Sequence, residues 1–328
     1  MALIMSAAWR AAFVPSTVPS TVLALGLSLS LGCRPEDPPI CPYRVASERA
    51  DEADTRMLEV DVWYDVLLRG ISRRPLVVPE EVRECSNVPV AIRLAEDLAA
   101  ADPRTRAAML PRRALGDADI TFGDATLASD QLVWARIDYF EDGTAIGPIA
   151  LARWQEKGLE IHGIGTLRAP FTRVSLRLEK FGDEESDEGL REVLVVTGEA
   201  CRAEQVGACQ REVYLMPLVD QHFMQAGLFE AGKPAGPARV VLREVEEAEL
   251  SDGWLRRAEV LRTVKYGGLS LEVSEHIEQS NCPPGAKASE CGLEETSDKV
   301  RALFWDQAKG VFVADEPSAW AGVQGGEL

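Results

Sequence analysis

Short apolar runs, each cut off by turn-forming residues, recur along the chain from Asp117 to Asp315. Alternation of period two marks strands, and regularly spaced turns mark sequential pairing. The stretch "QLVWARIDYF" (131–140) runs into Asp142-Gly143, a hairpin signal, and returns as "AIGPIALARW" (145–154). "GLEIHGIGTL", "TRVSLRLEKF", "LREVLVVTGEA" and "REVYLMPL" follow. Past a Gly/Pro-rich break at 232–237 come "ARVVLREVEEAEL", a strand after Trp254, "LSLEVSEHIEQ", "KVRALFWD" and "GVFVAD". This pattern predicts a mainly β protein whose sheets are antiparallel, in a meander, sandwich or barrel.

Upstream, Leu58, Val60, Val62, Tyr64, Val66 and Leu68 alternate with other residues and predict a strand, although Met57, Leu58, Val62, Val66 and Leu67 also fit one face of a helix. Residues 88–110 are rich in Ala and Leu and predict one or two short helices, broken near Asp102-Pro103, so the whole is α+β. The organisation expected is a strand plus helical segment over 55–116, an antiparallel β domain over 117–315 and a mobile tail over 316–328. Within the β domain, 117–230 and 238–315 share a plan of strand, glutamate, Cys-bounded loop and apolar strand, which suggests a duplication.

Residues 34–54, with four prolines and nine charges, read as a solvated tether. Ahead of them the only charged residue is Arg10, and Val22–Leu31 is apolar apart from Gly26, Ser28 and Ser30. That order is a secretory leader, too short to span a bilayer, which takes about 20 residues in a helix. The segment Ser30-Leu31-Gly32-Cys33 resembles the bacterial lipobox. The resemblance implies removal of residues 1–32, acylation of Cys33 and, because Arg34 stands where a retention signal would carry Asp, an outer-membrane address.

The seven cysteines acquire a logic from that. Lipidation of Cys33 leaves an even set for an oxidising compartment. Cys201 with Cys209 and Cys282 with Cys291 are close in sequence and flank polar loops, and Cys41 with Cys85 follows by elimination. Their spacings do not resemble the short knuckles of zinc sites. The net charge of −18 makes nucleic acid a poor partner and disfavours anionic lipid, leaving the acyl chain as the expected membrane attachment.

Catalytic motifs are scarce. Gly227 to Lys233 has P-loop spacing, but Pro234 occupies the hydroxyl position, so no nucleotide is expected. Gly163-Ile164-Gly165 sits in a strand pattern and reads as a bulge or close packing. His162, His222 and His276 form no metal-ligand pattern. Asp220-Gln221-His222 could orient an imidazole for base catalysis but reads more simply as a polar turn. The acidic loop 182–189 lacks the order of a calcium loop, and no metal or cofactor is expected.

One hairpin carries a finer expectation. A two-residue turn at Gly267-Gly268 sets Val264 opposite Leu271, Arg262 opposite Val273 and Val260 opposite Glu275, so Arg262 and Glu275 become diagonal neighbours on an otherwise apolar face. They are expected to pair, as an ion pair at the sheet margin or as a carboxylate held in a cleft. The function these features suggest is a lipid-anchored envelope protein that, without catalysis, binds another envelope protein or a glycan or assists an assembly. The alternative is an envelope hydrolase with paired carboxylates, for which Glu275, Arg262, His222 and Asp220 are the candidates.

Overall fold

The computed structural model describes residues 38–43, 58–73, 76–101, 104, 107–127, 129–155, 158–181, 190–201, 209–250, 253–268, 270–286 and 290–324. Cys33 with its leader, most of the tether and the acidic loop 182–189 lie outside the described residues.

The protein is mainly β, and among the described residues the strands form one 11-stranded and one 7-stranded sheet with two small ribbons. The larger sheet closes. Strand Gly158–Pro170 pairs with Thr144–Gln155 along its length on one edge, and on the other meets His222–Phe223 at a single position, Ile164 opposite His222. Followed round through Cys209–Val219, Arg191–Cys201, Thr172–Phe181, Ile120–Asp124 and Asp130–Ala135, the order returns to Thr144–Gln155. The lumen is filled by alternate side chains of these strands, among them Leu132, Trp134, Ile149, Leu167, Leu176, Leu194, Tyr214 and Met216.

The opposite parity faces outward and is also buried. Val133, Ala150, Leu159 and Ile161 pack beneath the segment that precedes the barrel. Val193, Val195, Val213 and Leu215 meet Leu228, Val273, Leu303 and Phe312 of the second sheet. Burial on both faces explains why "EVLVV" and "EVYLM" read as continuous apolar runs rather than strict alternation. The second sheet runs in the order Lys233–Pro237, Gly227–Glu230, Val311–Ala314, Gly292–Asp306, Leu271–Cys282, Leu255–Lys265, Arg243–Glu249. Its last strand carries Glu244, Glu246, Glu247 and Glu249, charges that discourage another chain from adding to that edge.

Four expectations are corrected. The strand expected from Leu58 is a helix, Val60–Leu67 (α1). Trp63, Tyr64, Val66 and Leu67 are its buried residues, a spacing that puts one helical face on the barrel. In a strand, Trp63 and Tyr64 would point to opposite sides. The Ala-rich segment forms one short helix, Glu96–Ala101 (α2), within the one or two expected and ending just ahead of Asp102-Pro103. Val88–Pro89 is instead tied back to the short strand Arg83–Glu84, with Glu84 N–H donating to Val88 O at 2.7 Å and Arg83 bridging Pro89.

The Gly/Pro-rich stretch 232–237 is the returning arm of a tight hairpin on Gly227–Glu230, not a break, with Ala231 and Gly232 at φ 50° and 74°. The P-loop spacing is therefore a β-turn. Finally, the tail is folded: Trp320–Gln324 (α3) lays Trp320 against Ala258, Val260 and Ile277. Residues 325–328 lie outside the described residues. Cys41–Tyr43, within the stretch read as tether, adds an edge strand to Gly158–Pro170.

Candidate functional site

The disulfides join Cys41 to Cys85, Cys201 to Cys209 and Cys282 to Cys291. Glu199 brings an oxygen within 4.8 Å of the Cys201 and Cys209 sulfurs, but both sulfurs are held in their disulfide and offer no metal-binding thiolate.

The Gly267-Gly268 hairpin has a longer turn than expected. Its observed register sets Val264 opposite Val273, Arg262 opposite Glu275 and Val260 opposite Ile277, a slip of two residues from the expected pairing. An even slip keeps every side chain on its face. Arg262 and Glu275 therefore still meet, directly opposite rather than diagonally, with Nε donating to Oε1 at 2.7 Å.

The pair is not at a sheet margin. Glu275 is 2 % exposed, and its Oε1 also accepts from Ser318 Oγ at 2.6 Å while Oε2 accepts from the Ala319 N–H at 2.8 Å. Arg301 Nε lies 3.6 Å from the same carboxylate and its guanidinium pairs with Glu230. Burial pushes the Glu275 carboxyl up, but the Ser318 hydroxyl, Arg262 and Arg301 outweigh it and hold the group below its ordinary value. A carboxylate with its lone pairs so occupied is a poor proton acceptor. Its place is structural, fastening the α3 segment to the second sheet.

The accessible chemistry lies at the barrel seam. Strand His222–Phe223 is two residues long, and beyond Ile164 the edge of Gly158–Pro170 has no backbone ladder partner among the described residues. At Gly165 the two chains approach closely, since a Cβ on it would stand 2.2 Å from Phe223 O. The expected bulge is present too, between Ile161 and Gly163.

A cleft of about 290 Å³ occupies the gap, walled by Ile92, Leu94, Leu167, Met216, Ala226 and Pro237. At its polar end Arg104 pairs bidentately with the fully buried Glu212 and donates to Tyr214 OH at 2.6 Å. Arg168 pairs with Asp142 at 3.1 Å and stacks 3.7 Å above the Phe140 ring. Both guanidiniums are thus neutralised within the protein and fixed in place.

A second cleft, of about 430 Å³, adjoins Gln225, which lines both. It gathers Glu84, Arg93, Thr166, Asp220 and His222. Glu84 is 1 % exposed and accepts hydrogen bonds from Thr166 Oγ1 at 2.9 Å and Ser86 Oγ at 3.2 Å. Burial holds its carboxyl above the ordinary value; the two hydroxyls, His222 and Arg93 offset this only in part.

Asp220 and Gln221 form a two-residue turn, both at positive φ, 47° and 63°. His222 takes its orientation from the Asp220 backbone carbonyl, 2.9 Å from Nδ1, rather than from the carboxylate as a catalytic pair would require. Of the sequence candidates, His222 and Asp220 thus share this cleft, whereas Arg262 and Glu275 belong to the second sheet. Glu84, Arg93, Arg104, Arg168 and Glu212 were not singled out by sequence. Glu212 alone left a trace, as a charge at the start of an otherwise doubly apolar strand.

Comparison with protein-family models, curated proteins and solved structures finds no match for this chain.

Proposed function

We propose that the protein is a lipid-anchored bacterial envelope module that binds a small, largely apolar ligand in the open barrel seam without catalysing a reaction. The seam cleft carries this reading. Its walls are aliphatic, its few polar groups are already paired and immobile, and such pockets recognise by shape with a small number of fixed hydrogen-bonding groups. Three disulfides accord with an oxidising compartment, as an envelope protein would meet. The acyl anchor rests on the lipobox-like Ser30-Leu31-Gly32-Cys33. No helix among the described residues is long and apolar enough to cross a membrane.

The rival reading, a hydrolase with paired carboxylates, would need Glu275 to exchange a proton. The donors that occupy it argue against that role.

The test is binding of a fluorescent apolar dye to the purified protein. Ala99 lines the cleft from α2 and is only partly buried, so Ala99→Trp fills the space from its rim with little strain on the core. Dye binding is expected in the wild type and lost in Ala99→Trp at unchanged melting temperature. Equal binding by both proteins would reject the seam as the site.

A further inference from the structure

Buried carboxylates in this molecule are matched with guanidinium groups. Glu212 has Arg104, and Glu275 has Arg262 with Arg301 nearby. Glu84 is as deeply buried as either, yet it forms no ion pair with a described residue and is held by two neutral hydroxyls. An unpaired buried carboxylate is costly, and it persists where a partner arrives from outside or where the group stays neutral until needed. Glu84 is also fixed rigidly. Its N–H and C=O are bonded to Val88 and Asn87, and the next residue is disulfide-bonded Cys85.

The rest of the cleft supplies the opposite sign. Arg93 is exposed and makes no ion pair with a described residue. His222 donates Nδ1–H to the Asp220 carbonyl, so its Nε2 offers a hydrogen bond to an anion when the ring is protonated. With Glu84 and Asp220 as carboxylates facing Arg93 and His222, the cleft holds both signs in a space of about 430 Å³.

We propose that this cleft binds a small zwitterion, with its ammonium group on the Glu84 carboxylate and its anionic group on Arg93 and His222. The proposal is independent of what occupies the apolar seam. The ammonium gives Glu84 the counter-charge the protein withholds, while Thr166 and Ser86 keep its oxygens in position. Binding requires the ionised carboxyl, which in the free protein titrates above its ordinary value, so occupancy should release a proton. Affinity should accordingly rise with pH until Glu84 is ionised in the free state.

The experiment is titration calorimetry of the intact protein with glycine, methylamine and acetate, in two buffers of different ionisation enthalpy and across the carboxylate range. Glycine is expected to bind best, with proton release and an affinity that rises with pH. Glu84→Gln should fold normally and lose about 30-fold or more in glycine affinity, the usual loss when one partner of a buried charge pair is removed. Arg93→Gln should weaken glycine but leave methylamine unchanged. Acetate binding as tightly as glycine, an unaltered Glu84→Gln, or no heat with any probe at millimolar concentration would each overturn the proposal.

Discussion

Strand parity outlives errors of register. Arg262 and Glu275 stay on one face whether the hairpin turn is two residues long or longer, which is why their meeting was legible in the sequence while their exact opposition was not. What the sequence could not convey is the company they keep. Arg301 comes from the neighbouring strand and Ser318 and Ala319 from the tail, so the carboxylate's saturation depends on contacts 43 and 44 residues away. Removing one partner of such a network leaves the others buried and uncompensated. Glu275→Gln is therefore expected to cost about 3 kcal/mol at neutral pH, measured by urea unfolding. Because the folded carboxyl sits below its ordinary value, its contribution is present above that value and is lost as pH falls through the folded one. The deficit of the variant should shrink in acid. A deficit independent of pH would place the cost in packing rather than charge.

Elements bounded by turns were the easiest to read, and those that depend on what covers them were the hardest. The strands from Thr144 to Cys201 follow from short apolar or alternating runs bounded by turn residues. The segment around Val60 offered two periods at once. The helical one prevails because the barrel presents a broad apolar surface that Trp63, Tyr64, Val66 and Leu67 cover together, with Tyr64 OH donating to Arg136 O at 2.5 Å. The tail misled for a related reason. "SAWAGVQ" has a single large apolar residue and looks too poor to fold, but Trp320 is 3 % exposed on the inner face of the second sheet. Trp320 is the buried anchor of α3, with Val323 partly buried beside it. Trp320→Ala should cost about 3 to 5 kcal/mol and free the segment beyond Pro317 for proteolysis. Unchanged stability with an intact tail would mean that Ser318 and Ala319 alone hold it through Glu275.

At the scale of the molecule, alternation announced antiparallel sheet but not closure, since a barrel and a sandwich share the same local pattern. Closure depends on one short strand, His222–Phe223, which meets the opposite edge only where His222 faces Ile164 and leaves the wall open beyond it. No periodicity encodes such a gap, so both clefts were invisible to sequence reading. The cysteines were the opposite case, because parity is a property of the whole chain. Six of the seven are joined in disulfides with one another, and Cys33 is the seventh. Acylation of Cys33 would account for it and would also set where the ligand sites operate. Pro38, whose carbonyl accepts from Gln221 Nε2 at 2.9 Å, lies five residues after Cys33. Cells fed labelled palmitate should therefore yield a labelled protein in the membrane fraction, and Cys33→Ala should abolish the label and give soluble protein or unprocessed precursor. If the wild type carries no label and fractionates as soluble, Cys33 is an ordinary thiol and the clefts face bulk solvent rather than a membrane.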